Sequence, residues 1–340
     1  MKKIMNFSLI MIALIALSAC TNKNELVNGT EERHEVSVSF NVTSGANQNE
    51  TGNGWTSGSV QEVTKTFLTN PSRVAIFSYD ALDIIDFAGI EKTSIKMLGF
   101  PKNNLPTYLN QYNQEMYFNL GTLFIPDWDA LDLFQPELII LGSRSSGAYD
   151  RLNQQFPNAN ILDMTMVYGE YSEGLDRNIE NLSKIFPSIK NELDNALNDI
   201  DIKMNNIKMV ANAYNALFIM VNGESLSFYG ENGRFAVLYD EFGFLSADQN
   251  QEGGSHGNVV GYEYVKMVNP QVLFLLDRGL ATGGSSTIEF VIENQLIKDT
   301  DAGINDHIYT LDPEAWYIST GGIKSTYQMI EDLLIFINKM

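Results

Sequence analysis

Three arginines follow short apolar runs or occupy a glycine-rich turn. Arg144 follows the run Leu138–Leu141, and Arg278 follows the run 272–276. Arg234 lies in the glycine-rich segment GENGRFAVLYDEFGF. A guanidinium suits planar anionic oxygen groups, because its fork donates two parallel hydrogen bonds. Taken singly, a loop arginine most often only solvates the surface; taken together, the three predict an anion-binding pocket.

Two of these arginines belong to a repeated constellation. In DALDLFQPELIILGSR, Asp129 precedes Pro136 by seven residues, and Arg144 follows Pro136 by eight. The same spacings recur in EYVKMVNPQVLFLLDR at Glu263, Pro270 and Arg278. An acid in a helix, a proline at the entry to a strand and an arginine at its exit are therefore present twice. Such an internal repeat is expected of two lobes built from related units, each presenting one arginine to a shared cleft.

Two further side chains could contact a metal. His256 lies in the loop GGSHGNVVGYEY and Tyr317 in EAWYISTGGIKST. Histidine nitrogen and tyrosine phenolate both bind iron, and phenolate favours the ferric ion. Two ligands cannot saturate an octahedral metal, but they could complete a complex whose other donors belong to a chelator. The alternative is that both side chains serve hydrogen bonding and packing.

The other chemistry-bearing motifs argue against catalysis. The chain has three histidines and one cysteine, so it has no His/Cys cluster for a bare metal ion. The order Gly-Ser-Arg-Ser at 142–145 is not a nucleophile elbow, and the segment 230–233 lacks the Gly-Lys-Ser/Thr ending of a phosphate loop. We therefore predict that the protein is not an enzyme.

The elements that must position these residues alternate between strand and helix. Short apolar runs predict strands at 74–77, Leu138–Leu141, 159–162, 216–221, 272–276 and 307–311. This alternation is typical of parallel α/β units, in which ligands bind beyond the carboxyl ends of the strands. After Pro187, apolar residues at steps of three and four predict an amphipathic helix of about 20 residues. This helix is interpreted either as a strut between two lobes or as a helix packed on one larger sheet.

The amino-terminal residues resemble a bacterial lipoprotein signal. Lys2 and Lys3 precede an apolar stretch, 9–17, that runs into Leu-Ser-Ala-Cys. Cys20 is the only cysteine, so it cannot form an internal disulfide, and cleavage before it would free it to carry lipid. The alternative is an ordinary secretory signal that contains a cysteine. The net charge of −20 argues against a nucleic-acid partner.

Composition divides the chain into five parts. The segments 21–34 and 43–59 are polar, which predicts a tether and a flexible insertion around one short strand at 36–40. The predicted divisions are a signal peptide at 1–19, tether and insertion at 20–63, an amino-terminal α/β lobe at 64–186, a backbone helix at 187–211 and a carboxyl-terminal α/β lobe at 212–340.

An ordered set of segments resembles a known family. These segments are NPSRVAIFSYDALDIIDFAGI, GTLFIPDWDALDLFQPELIILGSR, GENGRFAVLYDEFGF, GNVVGYEYVKMVNPQVLFLLDRG and WYISTGGIKSTYQMIEDL. From about residue 64 to 340 the chain resembles the siderophore-binding lipoproteins of bacterial ABC importers, in the catecholate branch that includes petrobactin- and enterobactin-type receptors. The resemblance implies two Rossmann-like lobes joined by a long backbone helix, with the ligand in the cleft between them.

The resemblance also implies roles for individual residues. Arg144, Arg234 and Arg278 would meet the anionic catecholates of a ferric siderophore. His256 and Tyr317 would complete the coordination of iron held by a tetradentate chelator. Asp129 and Glu263, one in each lobe, would dock onto arginines of the permease.

These implications give a functional expectation with two alternatives. We expect a monomeric, non-enzymatic binding protein without an intrinsic cofactor, lipid-anchored at Cys20 outside the cytoplasm of a Gram-positive cell, that delivers a ferric catecholate siderophore to an ABC permease. One alternative is haem or cobalamin capture, with His256 as axial ligand. The other is a surface enzyme such as a metal-dependent hydrolase, against which the lack of a nucleophile or metal cluster argues.

Overall fold

A long β-hairpin opens the part of the chain that the structure, a computed structural model, describes: residues 33–249 and 257–340. Strands β1 (Glu35–Ser44) and β2 (Ser59–Leu68) pair antiparallel along their whole length. Val38, Phe40 and Val42 alternate along β1 and bury one face of the hairpin. The single strand predicted at 36–40 is therefore too short, because it extends to Ser44 and pairs with a second strand that begins at Ser59.

The first sheet has five parallel strands in the order β5-β4-β3-β6-β7. Its strands are β3 (Arg73–Phe77), β4 (Met97–Phe100), β5 (Phe118–Asn119), β6 (Leu138–Leu141) and β7 (Asn160–Asp163). Its helices are α1 (Tyr79–Ala88), α2 (Trp128–Phe134), α3 (Tyr149–Gln155) and α4 (Tyr171–Ile185). Every residue of β6 is buried, as expected of a strand covered on both faces. The strands predicted at 74–77, 138–141 and 159–162 are confirmed within one residue at either end.

The predicted amphipathic helix is α5 (Lys190–Ala211), which follows a short 3-10 turn at Pro187–Ile189. Its 22 residues give a length of about 33 Å. Leu193, Ala196, Ile200, Met204 and Ile207 form its buried stripe. Within residues 33–249 and 257–340, no helix is both long and apolar enough to cross a bilayer.

The second sheet has six strands, with the order β11-β9-β8-β12-β13 and β10 beside β8. Its strands are β8 (Asn215–Asn222), β9 (Ser225–Tyr229), β10 (Leu245–Ser246), β11 (Asn258–Val260), β12 (Val272–Asp277) and β13 (Ile308–Leu311). Its helices are α6 (Val237–Asp240), α7 (Tyr262–Val268), α8 (Arg278–Ala281), α9 (Ile288–Ile292), α10 (Gln295–Lys298), α11 (Asp301–Ile304) and α12 (Ile323–Ile337). Strands β8, β12 and β13 are parallel, and β9 is antiparallel to β8. The predicted α/β fold is confirmed.

The sequence repeat corresponds to one structural unit used twice. Helices α2 and α7 each have seven residues and end at a left-handed residue, Gln135 (φ 50°) or Asn269 (φ 51°). A proline follows each of these residues, and then a parallel strand, β6 or β12, begins. The left-handed residue reverses the chain after the helix and directs it into the sheet.

A buried carboxylate joins α1 to α12. Asp83 is fully buried and accepts hydrogen bonds from the backbone N–H groups of Lys324 (2.7 Å) and Ser325 (3.0 Å). It also accepts one from the Tyr108 hydroxyl at 2.8 Å. An added Cβ at Gly322 would lie 2.4 Å from Asp83 Cγ, so glycine is required for this approach. Asp83 thus satisfies the unpaired N–H groups at the start of a helix that lies far along the chain.

Candidate functional site

The guanidinium groups of three arginines converge on Tyr317. Arg144 donates from Nη2 to the Tyr317 carbonyl oxygen at 2.7 Å and from Nη1 to the Ile318 carbonyl oxygen at 3.2 Å. Arg234 donates from Nη2 to the same Tyr317 carbonyl at 2.6 Å. Arg278 donates from Nε to the Tyr317 hydroxyl oxygen at 3.0 Å. Four of the residues singled out in the sequence therefore lie together.

Parallel-sheet topology places two of the arginines. Arg144 lies three residues beyond the end of β6, and Arg278 comes directly after β12, so both stand at the carboxyl ends of parallel strands. Arg234 lies in the turn before the single-turn helix α6. Because strand carboxyl ends meet at one edge of a sheet, the side chains that follow them face the cleft.

Tyr317 lies in a π-helical turn, Glu314–Ile318. The preceding Trp316 is fully buried and donates from Nε1 to Asp332 Oδ2 at 2.9 Å. Tyr317 itself is partly exposed, and its ring centroid lies 4.2 Å, 5.5 Å and 5.8 Å from the Cζ atoms of Arg234, Arg144 and Arg278. At these distances the guanidiniums are attracted to the ring face. The wide turn buries one aromatic side chain and leaves its neighbour to the cleft.

The site is a cluster of positive charge in an acidic protein. No carboxylate among residues 33–249 and 257–340 forms an ion pair with Arg144, Arg234 or Arg278. Burial and the neighbouring charge of Arg234 lower the pKa of Arg144 from its ordinary value, although a guanidinium stays protonated in proteins. Three clustered cations, none in ion-pair contact with a carboxylate of the described residues, favour an anionic ligand.

The same charges act on the Tyr317 hydroxyl. Burial alone would raise the pKa of Tyr317, but the hydrogen bond from Arg278 and the charges of Arg234, Arg278 and Arg144 hold it below its ordinary value. The oxygen already accepts a hydrogen bond and is stabilised toward the phenolate form. Phenolate is the form that binds ferric iron.

One acid that we did not single out from the sequence lines the same cavity. Asp80, in the first turn of α1, borders a space of about 580 Å³ together with Arg144, Arg234 and Tyr317. Burial raises the pKa of Asp80 to about 7, although the charge of Arg144 opposes this shift. Its position just beyond the carboxyl end of β3 was the available signal.

Two further residues, which the sequence analysis did not single out, hold Arg278 in place. Asn222, the last residue of β8, accepts a hydrogen bond from Arg278 Nη1 at 3.1 Å. Asp277 is fully buried, and its Oδ1 accepts from the Leu280 N–H at 3.1 Å. Its Oδ2 accepts from the Ser286 hydroxyl at 2.6 Å. The Asn222 bond holds the guanidinium group, and the Asp277 bonds fix the backbone from which Arg278 projects.

The two acids of the repeat lie on the surface. Asp129 and Glu263 are exposed in the first turns of α2 and α7, and neither borders the cavity at Tyr317. Each is followed one helical turn later by an exposed apolar side chain, Leu133 (86% exposed) or Met267 (74% exposed). Each half of the repeat therefore presents an acid and an apolar side chain on one short helix.

Two residues named in the sequence analysis lie outside the described residues, namely His256 and Cys20. The proposed iron ligation by His256 and lipidation of Cys20 therefore stay predictions. Within residues 33–249 and 257–340, no group of three or more His, Cys, Asp or Glu side chains is arranged to hold a metal ion.

The chain is similar to characterised binding proteins along most of its length. The petrobactin-binding protein YclQ of Bacillus subtilis (strain 168) is 32% identical over 335 residues, which cover 96% of this chain and 97% of YclQ. The crystal structure of YclQ superposes with a TM-score of 0.75 and covers 82% of this chain and 95% of that protein.

Two other solved structures are similar to this chain in sequence and in fold. The catecholate-siderophore binding protein VctP of Vibrio cholerae is 29% identical, with a TM-score of 0.75, over 89% of this chain and all of VctP. The iron uptake ABC transporter substrate-binding protein PiuA of Streptococcus pneumoniae is 31% identical, with a TM-score of 0.72, over 81% of this chain and 95% of PiuA. The profile of the family described as "Periplasmic binding protein" matches residues 99–315. With this match and the relatives at 32% and 31% identity, the chain belongs to the periplasmic binding protein family, whose members bind solutes rather than transform them.

Proposed function

We propose that this protein captures a ferric catecholate-type siderophore outside the cytoplasm and delivers it to an ABC permease for iron uptake. The observation that carries the proposal is the convergence of Arg144, Arg234 and Arg278, none paired with a carboxylate of the described residues, on Tyr317. A ferric catecholate complex carries several negative charges on planar oxygen donors. Guanidinium forks match both the charge and the geometry of those donors. The names of YclQ and VctP support a siderophore ligand, catecholate in the name of VctP, and the name of PiuA supports a role in iron uptake with an ABC transporter.

Tyr317 and His256 are the proposed protein ligands of the iron. The lowered pKa of Tyr317, to which the bond from Arg278 contributes, favours the phenolate form that a ferric ion requires. Iron is cargo here, so these two ligands would complete a coordination sphere supplied mainly by a tetradentate chelator. No intrinsic cofactor is needed for this function.

The permease is proposed to dock on α2 and α7. Asp129 and Glu263 offer one exposed carboxylate on each of two repeated helices, and such groups can pair with arginines of a partner. Leu133 and Met267 lie beside them and add apolar surface of the kind found at interface centres. Because the two helices belong to the two halves of the repeat, a pseudo-symmetric partner could engage both at once.

Lipid anchoring at Cys20 is part of the same proposal. The Leu-Ser-Ala-Cys motif after a short apolar stretch is the support, and the expected location is the outer face of a Gram-positive cell membrane. We expect Cys20→Ala to move the protein from the membrane fraction to the medium or the soluble fraction. Retention of the variant in washed membranes would contradict the anchor.

The test of ligand class is a fluorescence-quenching titration of the purified protein with ferric catecholate, ferric hydroxamate, haem and cobalamin, with visible spectra recorded in parallel. Tight quenching by the ferric catecholate alone is the expected result. The variant lacking all three site arginines should lose this binding while its far-UV circular dichroism is unchanged. Normal affinity in that folded variant, or quenching by haem or cobalamin instead, would refute the assignment.

A further inference from the structure

The tip of the β1–β2 hairpin reaches the cleft. Residues 45–58 connect the two strands, and Trp55, Asn49 and Asn53 of this tip border a space of about 1340 Å³. The same space is bordered by Arg144, Arg234 and Tyr317. A segment that precedes both sheets in the sequence therefore forms a wall of the opening above the arginines.

The base of the hairpin is firmly attached to the first sheet and its helices. Phe40 and Phe67 are buried and pack edge to face, with ring centroids 5.9 Å apart. Asn181 of α4 donates from Nδ2 to the Ser39 carbonyl at 2.9 Å, and Asn160 of β7 donates to the Thr66 carbonyl at 3.1 Å. Because the strands are held in this way, the position of the tip is set by the fold.

The tip is attached at the cleft edge by a specific fit. Trp55 donates from Nε1 to the Phe124 carbonyl at 2.6 Å. An added Cβ at Gly147 would lie 2.5 Å from Trp55 Cβ, so the side chain fits there only against glycine. At the strand end, the Gly45 N–H donates to Asp150 Oδ2 of α3 at 2.7 Å.

The chemistry of the tip differs from that of the arginine cluster. Residues 45–58 contain one charged side chain, Glu50, and otherwise only amides, hydroxyls, glycine, alanine and one indole, in a chain of net charge −20. The arginines suit the anionic iron centre, whereas an indole and neutral amides suit an organic group that carries amides, hydroxyls or protonated amines. In a whole siderophore, such a group is the backbone that joins the catechols.

We propose that the hairpin tip, with Trp55 as its central contact, is a second part of the ligand site that recognises the organic backbone of the siderophore. This inference rests on the proposed function and adds a determinant of selectivity to it. The tip distinguishes a whole siderophore from a bare ferric catecholate, and the arginines bind both.

Two probes separate the two parts of the site: ferric petrobactin, which has a backbone, and the ferric complex of simple catechol, which has none. Trp55→Ala should weaken ferric petrobactin binding about tenfold or more, the effect of losing one aromatic contact, and change ferric catechol binding less than about twofold. Gly147→Ala, which displaces the indole without removing it, should act in the same direction. Val60→Ala, an exposed position on β2 that does not border the cleft, is the matched control and should change neither.

A loop replacement provides a stronger variant. Ser44 and Ser59 are the last facing pair of the hairpin, so an Asn-Gly turn can replace residues 45–58 without changing the strand register. The variant with the Asn-Gly turn should lose its preference for ferric petrobactin over ferric catechol, and its melting temperature should be similar to that of the wild type. Equal losses of affinity for both probes, or no loss for either, would refute the proposed role of the tip but not the proposed function. Failure of the wild-type protein to bind either probe would overturn the proposed function and this inference with it.

Discussion

Replacement of Arg234 by glutamine removes one charge from the site with little structural cost. Arg234 makes one hydrogen bond to the Tyr317 carbonyl, and that carbonyl keeps its donor from Arg144 at 2.7 Å. The change also relieves repulsion with Arg144, whose pKa is lowered partly by the Arg234 charge. We therefore expect the free energy of unfolding to change by less than about 1 kcal/mol.

The loss of ligand affinity should be much larger than the loss of stability. A hydrogen bond between charged partners contributes about 1.5–3 kcal/mol, which corresponds to roughly a 10- to 150-fold weaker Kd for a ferric catecholate. In the ligand-free protein, loss of the Arg234 charge should also raise the pKa of Tyr317, because that charge helps to lower it. The affinity is measured by fluorescence quenching and the pKa by the tyrosinate absorbance during a pH titration.

Arg73→Gln is the matched control for this experiment. Arg73 begins β3 at the amino edge of the sheet, where it donates to the Gln135 carbonyl and pairs with Glu137. The Arg73→Gln substitution should leave both the affinity for the ferric catecholate and the pKa of Tyr317 unchanged. The reasoning is refuted if Arg234→Gln binds as the wild type does, or if Arg73→Gln weakens binding to the same extent.

Four further predictions concern other parts of the molecule. Tyr317→Phe should shift the charge-transfer band of the bound ferric complex, and an unchanged visible spectrum would exclude direct coordination. Because the pKa of Asp80 is about 7, its protonation between pH 8 and pH 6 removes a negative charge from the cleft, so anion affinity should rise over that range in the wild type and less in Asp80→Asn. Asp83→Ala, which leaves the backbone N–H groups of Lys324 and Ser325 without their acceptor, should lower the free energy of unfolding by about 3–5 kcal/mol in urea titrations, and a loss below about 1 kcal/mol would contradict its linking role. Alanine at both Asp129 and Glu263 should preserve ferric catecholate affinity and abolish iron uptake in cells, and normal uptake would argue against docking there.

The core strands and two of the arginines could be predicted because their signals are local. An apolar run such as Leu138–Leu141 predicts a buried strand from its own residues, and a parallel sheet puts the residue after the strand at the ligand edge. The same spacing of acid, proline and arginine occurs in both halves of the sequence, so the two segments could be predicted to form the same structural unit. The long helix α5 was equally accessible, since its buried stripe has the helical period.

The hairpin was missed because its stability is not local. Strand β2 is mostly exposed, and the polar residues 45–58 separate it from β1. The ordering of both strands depends on the pairing between them and on burial of Phe40 and Phe67. Composition therefore predicted one short strand where long-range burial and pairing produce a hairpin.

The sequence by itself determined the α/β fold class, the buried strands, the repeat, and the placement of arginines at strand ends, because these follow from residue type and short-range periodicity. Only the tertiary structure decided that Tyr317 would be the common partner of three arginines and that Trp55 would reach the cleft. The Arg144–Tyr317 contact joins residues 173 apart in the chain, and the Trp55–Phe124 contact joins residues 69 apart. Such pairings depend on how the sheets, helices and hairpin pack, and no local pattern encodes them.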